Sequence, residues 1–75
     1  MTLNDVKLNT NCVVKSVNIE DYKSKMRIME LGLIEGAKVV VKNKSALKRT
    51  LLIAFNYGCF TLKNNIAEKV VVEYV

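Results

Sequence analysis

Arg27-Ile28-Met29-Glu30-Leu31-Gly32-Leu33-Ile34-Glu35-Gly36-Ala37-Lys38-Val39-Val40-Val41 changes its hydrophobic period halfway along. Tyr22, Met26, Met29 and Leu33 follow the i, i+4, i+7 spacing of a helix face, whereas Val39 to Val41 is a β-branched run of the kind that fills sheets. Two glycines punctuate the switch. Gly32, directly after Leu31, suits a left-handed helix cap, a conformation that costs any residue with a Cβ, and Gly36 fits a turn into the strand. The stretch predicts a helix over residues 22–31, joined to a strand by a short, rigid connection. Methionine at helical spacing is more often core than binding stripe, so Tyr22, Met26 and Met29 are assigned to the core.

Upstream, Leu3 to Leu8 reads as a lead-in turn or short edge segment, and the first strand starts near Cys12. From Val13 to Ile19 the odd positions are mostly apolar, which predicts that Val13, Val17 and Ile19 face inward. Asp21, with Asn18 as the alternative, is placed to accept from the unpaired amides of the first helical turn. Downstream, Ala37 to Asn43 is the second strand and Lys44 to Lys48 a basic hairpin connection. Arg49 to Asn56 is the third strand, Tyr57-Gly58 a tight turn and Cys59 to Lys63 the fourth strand, a spacing typical of antiparallel neighbours. Asn64 to Glu68 is a turn or a single helical turn. Lys69 to Val75 is the last strand, with Val70, Val72 and Tyr74 on one face. Five short strands and one helix predict a mainly β chain. Closing the sheet removes exposed edges, so the expected architecture is a small antiparallel SH3-like barrel.

At 75 residues and 51% hydrophobic content, the chain is expected to be one domain that commits nearly every long apolar side chain to its core and leaves little for an active-site cavity. The longest apolar run, Leu51 to Phe55, is far short of the ~20 residues that cross a bilayer. Met1 to Asp5 has neither the basic start nor the apolar block of a secretory signal, so a cytoplasmic location is expected. The net charge of +5 favours an acidic protein, anionic lipid or nucleic acid as partner. Its cations crowd Lys38 to Arg49, with a second group, Lys23, Lys25 and Arg27, in the helix.

Chemistry is sparse. With no histidine there is no ordinary neutral-pH acid/base group, and no phosphate loop or paired nucleophile is visible, so no catalytic residue is assigned and an enzyme is not expected. Cys12 and Cys59 are unpaired in sequence and read as small buried hydrophobes rather than metal ligands. Glu20, Asp21, Glu30 and Glu35 could supply oxygens to a hard cation, but carboxylates around a helix are usually solvated charge. Gly32 and Gly36 also form a Gly-x-x-x-Gly, which the flanking Glu35 and Lys38 exclude as a membrane-helix motif.

Leu31-Gly32-Leu33-x-x-Gly36-x-x-Val39-x-Val41, followed by Tyr57-Gly58-Cys59-Phe60-Thr61-Leu62-Lys63, Ala67 and Val70 to Val72, resembles the two sequence blocks of the ferrous iron transport protein A (FeoA) family. Members of that family are small cytoplasmic partners of a membrane ferrous-iron transporter. The likeness runs from about Leu3 to Val75 and assigns Leu31, Gly32, Gly36 and Gly58 as its structural positions. Glu35 stands where the family most often has proline, and Lys44 to Thr50 lacks the Pro and Gly usual in its hairpin; both departures lie in loops. The resemblance implies an SH3-like barrel without cofactor or small-molecule substrate. It also implies a non-catalytic accessory role, binding the cytoplasmic part of a ferrous-iron transporter with a FeoB-like GTPase.

Two surface features suit such a contact. Leu33 and Ile34, between two glycines, are hard to bury together, so one is expected to be exposed for docking, and Lys44, Lys48 and Arg49 supply a cationic hairpin. The competing reading is a basic small barrel that binds nucleic acid. Its aromatics argue against it: Tyr22, Phe55, Tyr57, Phe60 and Tyr74 are mostly assigned to the core, where they cannot stack on bases.

The purified protein should carry no tightly held transition metal. Elemental analysis after gentle purification tests this, and near-stoichiometric iron or zinc that disappears on replacing Cys12 or Cys59 would overturn it.

Overall fold

The computed structural model describes residues 1–56 and 58–75. Along the chain come β1 (Cys12–Val17), α1 (Tyr22–Leu31), β2 (Lys38–Ser45), β3 (Thr50–Phe55), β4 (Gly58–Lys63), α2 (Asn64–Ala67) and β5 (Val70–Tyr74). The five strands form one antiparallel sheet in the order β4-β3-β2-β1-β5, so β1 joins the last strand of the chain to the central meander. This mainly β arrangement, with α1 and the single turn α2, has the SH3-like character expected, but among the described residues hydrogen bonding does not close it, and β4 and β5 are its two ends.

The two ends differ. β5 is flanked by the N-terminal segment: Thr2 bridges to Val71, Leu3 N–H donates to the Val70 carbonyl at 3.2 Å and Val72 N–H donates to the Met1 carbonyl at 2.8 Å. Leu3 and Val6 are thereby buried in the core. Lys44 holds the same segment from the other side, its Nζ donating to the Val6 carbonyl at 2.8 Å and the Asn4 carbonyl at 3.1 Å.

Bulges reset the inward face of two strands. In β1, Val14 pairs with Val72 and Ser16 with Val71, leaving Lys15 over. Cys12 and Val14 are therefore buried and Val13 only half-buried, opposite to the odd-position alternation expected, while Ile19 is buried beyond the strand. An inserted residue opposes nothing on the partner strand and shifts the alternation by one, which a pattern read without the partner misses. In β2, Val41 pairs with Ile53 and Asn43 with Leu52 across a second irregularity at Lys42. The ladder continues to Ser45–Thr50, so Lys44 is a strand residue and the hairpin loop is Ala46 to Arg49, with Arg49 at φ 54°. Phe55 pairs with Gly58, which makes Gly58 the first residue of β4 rather than half of the expected turn. The loop starts at Asn56, itself at φ 54°, and Tyr57 lies outside the described residues.

α1 has the bounds its sequence predicts. Asp21 caps it, accepting from Ser24 N–H at 3.1 Å and from the Ser24 hydroxyl at 2.6 Å. Those bonds, with Arg27 nearby, lower its carboxyl pKa from the ordinary value of 3.8. The cap is complete above that value and is lost as pH falls through the depressed one. At the other end Gly32 has φ 104°, its N–H donates to the Met29 carbonyl at 3.0 Å, and Leu33 N–H donates to the Ile28 carbonyl at 3.3 Å. This is a Schellman ending, with the hydrophobic contact between Ile28 and Leu33 that often accompanies it, and both side chains are buried.

The face assigned to the core is the wrong one. Tyr22, Met26 and Met29 are 73%, 36% and 39% exposed, and Ile28 is the buried residue of α1. At ~100° per residue Ile28 points well away from that stripe. Helical period identifies a stripe, and only the position of the sheet decides which side of the helix is covered.

Two substitutions separate backbone strain from crowding. A Cβ on Gly32 would collide with the Asn56 side-chain amide, whereas one on Gly36, at φ 89°, would meet nothing within 4 Å. Gly32→Ala should cost more than ~1 kcal/mol and Gly36→Ala about 1 kcal/mol. Urea midpoints measure both, and equal costs would remove the crowding argument. Lys44→Ala should lose about 1 kcal/mol by leaving two carbonyls of the N-terminal segment without their donor.

Candidate functional site

α1 reaches the core through Ile28, with Leu33 buried just beyond its end, and grooves lie along its flanks. On one flank a groove of about 410 Å³ runs between α1 and β4, floored by Ile28, Leu62 and Ile66 and edged by Arg27, Leu31 and Lys63. It continues into a second cleft of about 410 Å³, where Lys63 and Asn65 are shared and Lys48, Arg49 and Glu68 join them. The floor is apolar because Leu62 and Ile66 pack against the core from its margin. The rim is cationic: Arg27, Lys63, Lys48 and Arg49 stand against one carboxylate, Glu68.

Backbone contacts fix this corner. Asn64 N–H donates to the Arg49 carbonyl at 2.9 Å, and Asn4 Nδ2 donates to the Asn64 carbonyl at 3.0 Å. The left-handed Arg49 turns the hairpin back so that Lys48 and Arg49 reach the end of β4. Asn64 Oδ1 is buried there without a hydrogen-bond partner among the described residues.

On the other flank, Ile34 is 44% exposed and shares a cleft of about 250 Å³ with Met29, Val17 and Lys25. Leu33, the other candidate of that loop, is 1% exposed and belongs to the core, because the Schellman ending turns it back onto Ile28. Lys44 is likewise withdrawn as a docking cation, since both hydrogen bonds of its ammonium go to carbonyls of the N-terminal segment. Lys48 and Arg49 line the basic cleft, and the cleft that holds Ile34 shares no lining residue with it. The structure thus joins the hairpin to Lys63 and Arg27 rather than to Ile34. Lys63 escaped the sequence reading because nothing local marks it; its one signal is the Leu62-Lys63 pair of the second block.

Of the two cysteines expected to be buried, one is and one is not. Cys12 is buried, and burial pushes its thiol pKa up, while Cys59 is exposed on β4. Among the described residues no three Cys, Asp or Glu side chains gather as a metal site would need. Tyr22 and Tyr74 are exposed rather than core, although the Tyr74 hydroxyl accepts from Lys7 N–H at 2.9 Å.

Solved structures share this fold. FeoA from Chlorobium tepidum is 29% identical, with a TM-score of 0.91 over 100% of this chain and 70% of its own. FeoA from Stenotrophomonas maltophilia is 31% identical, with a TM-score of 0.81 over 97% of this chain and 89% of its own. That protein was solved with zinc and is described as a prokaryotic SH3 domain protein proposed to be a bacterial ferrous iron transport activating factor. A FeoA-like protein from Clostridium acetobutylicum, 20% identical, has a TM-score of 0.84 over 100% of this chain and 86% of its own, a likeness of fold. No curated protein matches the chain by sequence. The FeoA domain model matches residues 1–74, so the sheet, the Schellman turn and the grooves beside α1 are those of a chain that belongs to the FeoA family.

Proposed function

We propose that this protein is a non-catalytic accessory factor of ferrous iron transport, acting on the cytoplasmic side by binding the cytoplasmic part of the transporter, a FeoB-like GTPase. The observation that carries this reading is the FeoA domain match over residues 1–74. The description of the Stenotrophomonas maltophilia relative as a transport activating factor supports it. No helix among the described residues is long and apolar enough to cross a membrane, so this chain reaches the transporter in this reading by docking.

Two surfaces divide the work of docking. Lys48 and Arg49 belong to a chain of net charge +5 and steer an acidic partner through the field of the whole molecule, which does not require contact with the apolar anchor. Ile34, exposed beside Met29, supplies the anchor, because burying an exposed aliphatic side chain is favourable and insensitive to salt.

Lys48→Glu combined with Arg49→Glu should slow association with the immobilised cytoplasmic domain of the transporter by roughly tenfold at low salt, an effect that shrinks as salt rises. Stability should move by no more than ~0.5 kcal/mol, since both side chains are exposed. Ile34→Asp should weaken binding at low and high salt alike. A transporter domain that binds neither the parent nor any variant would sink the reading. Normal binding by both variants would place the contact elsewhere.

A further inference from the structure

We propose that the free edge of β4, together with the groove between it and α1, is a strand-addition site for an extended, acidic peptide segment of a protein partner. This deepens the accessory-factor reading by naming the chemistry of a docked segment.

The sheet has two ends and treats them differently. At β5 the N-terminal segment supplies a bridge and two backbone hydrogen bonds. Among the described residues the only strand partner of β4 is β3, and no hydrogen bond outside that ladder reaches the backbone of Cys59 to Leu62. An edge of unpaired N–H and C=O groups is a template for another strand unless something covers it. α1 does not cover this one, because a groove of about 410 Å³ lies between helix and strand. Thr61 and Leu62, which point to opposite faces of the sheet, both line that groove, so it follows the edge of β4 rather than one face.

Its walls specify the guest. An added strand alternates its side chains. One set would settle on Ile28, Leu31 and Ile66, and the polar set would meet Arg27 and Lys63, then Lys48 and Arg49. Four cations against Glu68 favour acidic residues at those positions. A second copy of this chain adding through its own β4 would bring Lys63 and the neighbouring cations together, which opposes self-pairing. Among the described residues no aromatic ring lines the groove to stack on bases, which favours a peptide over a nucleic acid.

The test uses the intact protein and a short blocked peptide of alternating valine and glutamate. Two controls carry lysine in place of glutamate, or N-methyl groups on alternate backbone amides. The glutamate peptide should shift the amide resonances of Cys59 to Leu62 and slow their hydrogen exchange. N-methylation should weaken it roughly tenfold by removing ladder donors. The lysine peptide should not bind, and Arg27→Glu with Lys63→Glu should weaken the glutamate peptide roughly tenfold without changing the circular dichroism of the protein. Any of four results overturns the proposal: affinity indifferent to N-methylation, shifts confined to other surfaces, a dimer through β4 that excludes the peptide, or an oligothymidylate bound more tightly than the glutamate peptide. Because no transporter is present, failure here leaves the accessory-factor reading standing, and failure of transporter binding leaves this result intact.

Discussion

The left-handed turn at Gly32 is the point on which the helical half of the molecule depends. α1 is short and reaches the core through one residue of its own, Ile28. Leu33 doubles that hold only because the chain reverses at φ 104° and sends the next side chain back over the last turn. Asn56, across the molecule, donates its side-chain amide to the Leu31 carbonyl at 3.1 Å and so ties the helix ending to the β3–β4 loop. A helix of this length is marginal in isolation. Its position rests on two buried aliphatics and one long-range hydrogen bond, and because these act at its end, both flanks stay open.

Much of this was legible in the chain. The bounds of α1 follow from local rules, an acidic cap at Asp21 and a glycine stop at Gly32, and local rules need no knowledge of the rest of the fold. Strand existence was equally clear from β-branched runs. Strand phase was not, since the irregularities at Lys15 and Lys42 exist only relative to partner strands far away in sequence. The same limit hid the burial of Leu33, the exposure of the Tyr22-Met26-Met29 stripe and the structural use of Lys44, whose acceptors lie about forty residues upstream. Of the site, the hairpin cations Lys48 and Arg49 were visible as a charge run. Lys63 and Arg27 join them only through the fold, because β4 returns beside both the hairpin and the helix.

The distribution of charge then has a simple physical meaning. Only one ion pair, Lys15 with Glu73 at 3.8 Å, forms among the described residues, and both members are well exposed. Such a pair adds little to stability. The positive charge is therefore mostly uncommitted within the protein and available as field, and four of the twelve cations, Arg27, Lys48, Arg49 and Lys63, line the joined clefts where an apolar floor is also exposed.

Consider finally the place of β1 in the sheet. β2, β3 and β4 are consecutive hairpins whose pairings close short loops, whereas β1 must find β5 from the opposite end of the chain. Loop-closure entropy grows with the length closed, so the meander is expected to assemble first and the β1–β5 zipper last. Refolding followed at β1 and at β3 separately would resolve that order, and synchronous recovery would refute it. In that order the hairpin cations and Lys63 belong to the part expected first, while the N-terminal segment and the core residues Leu3 and Val6 depend on the last strand.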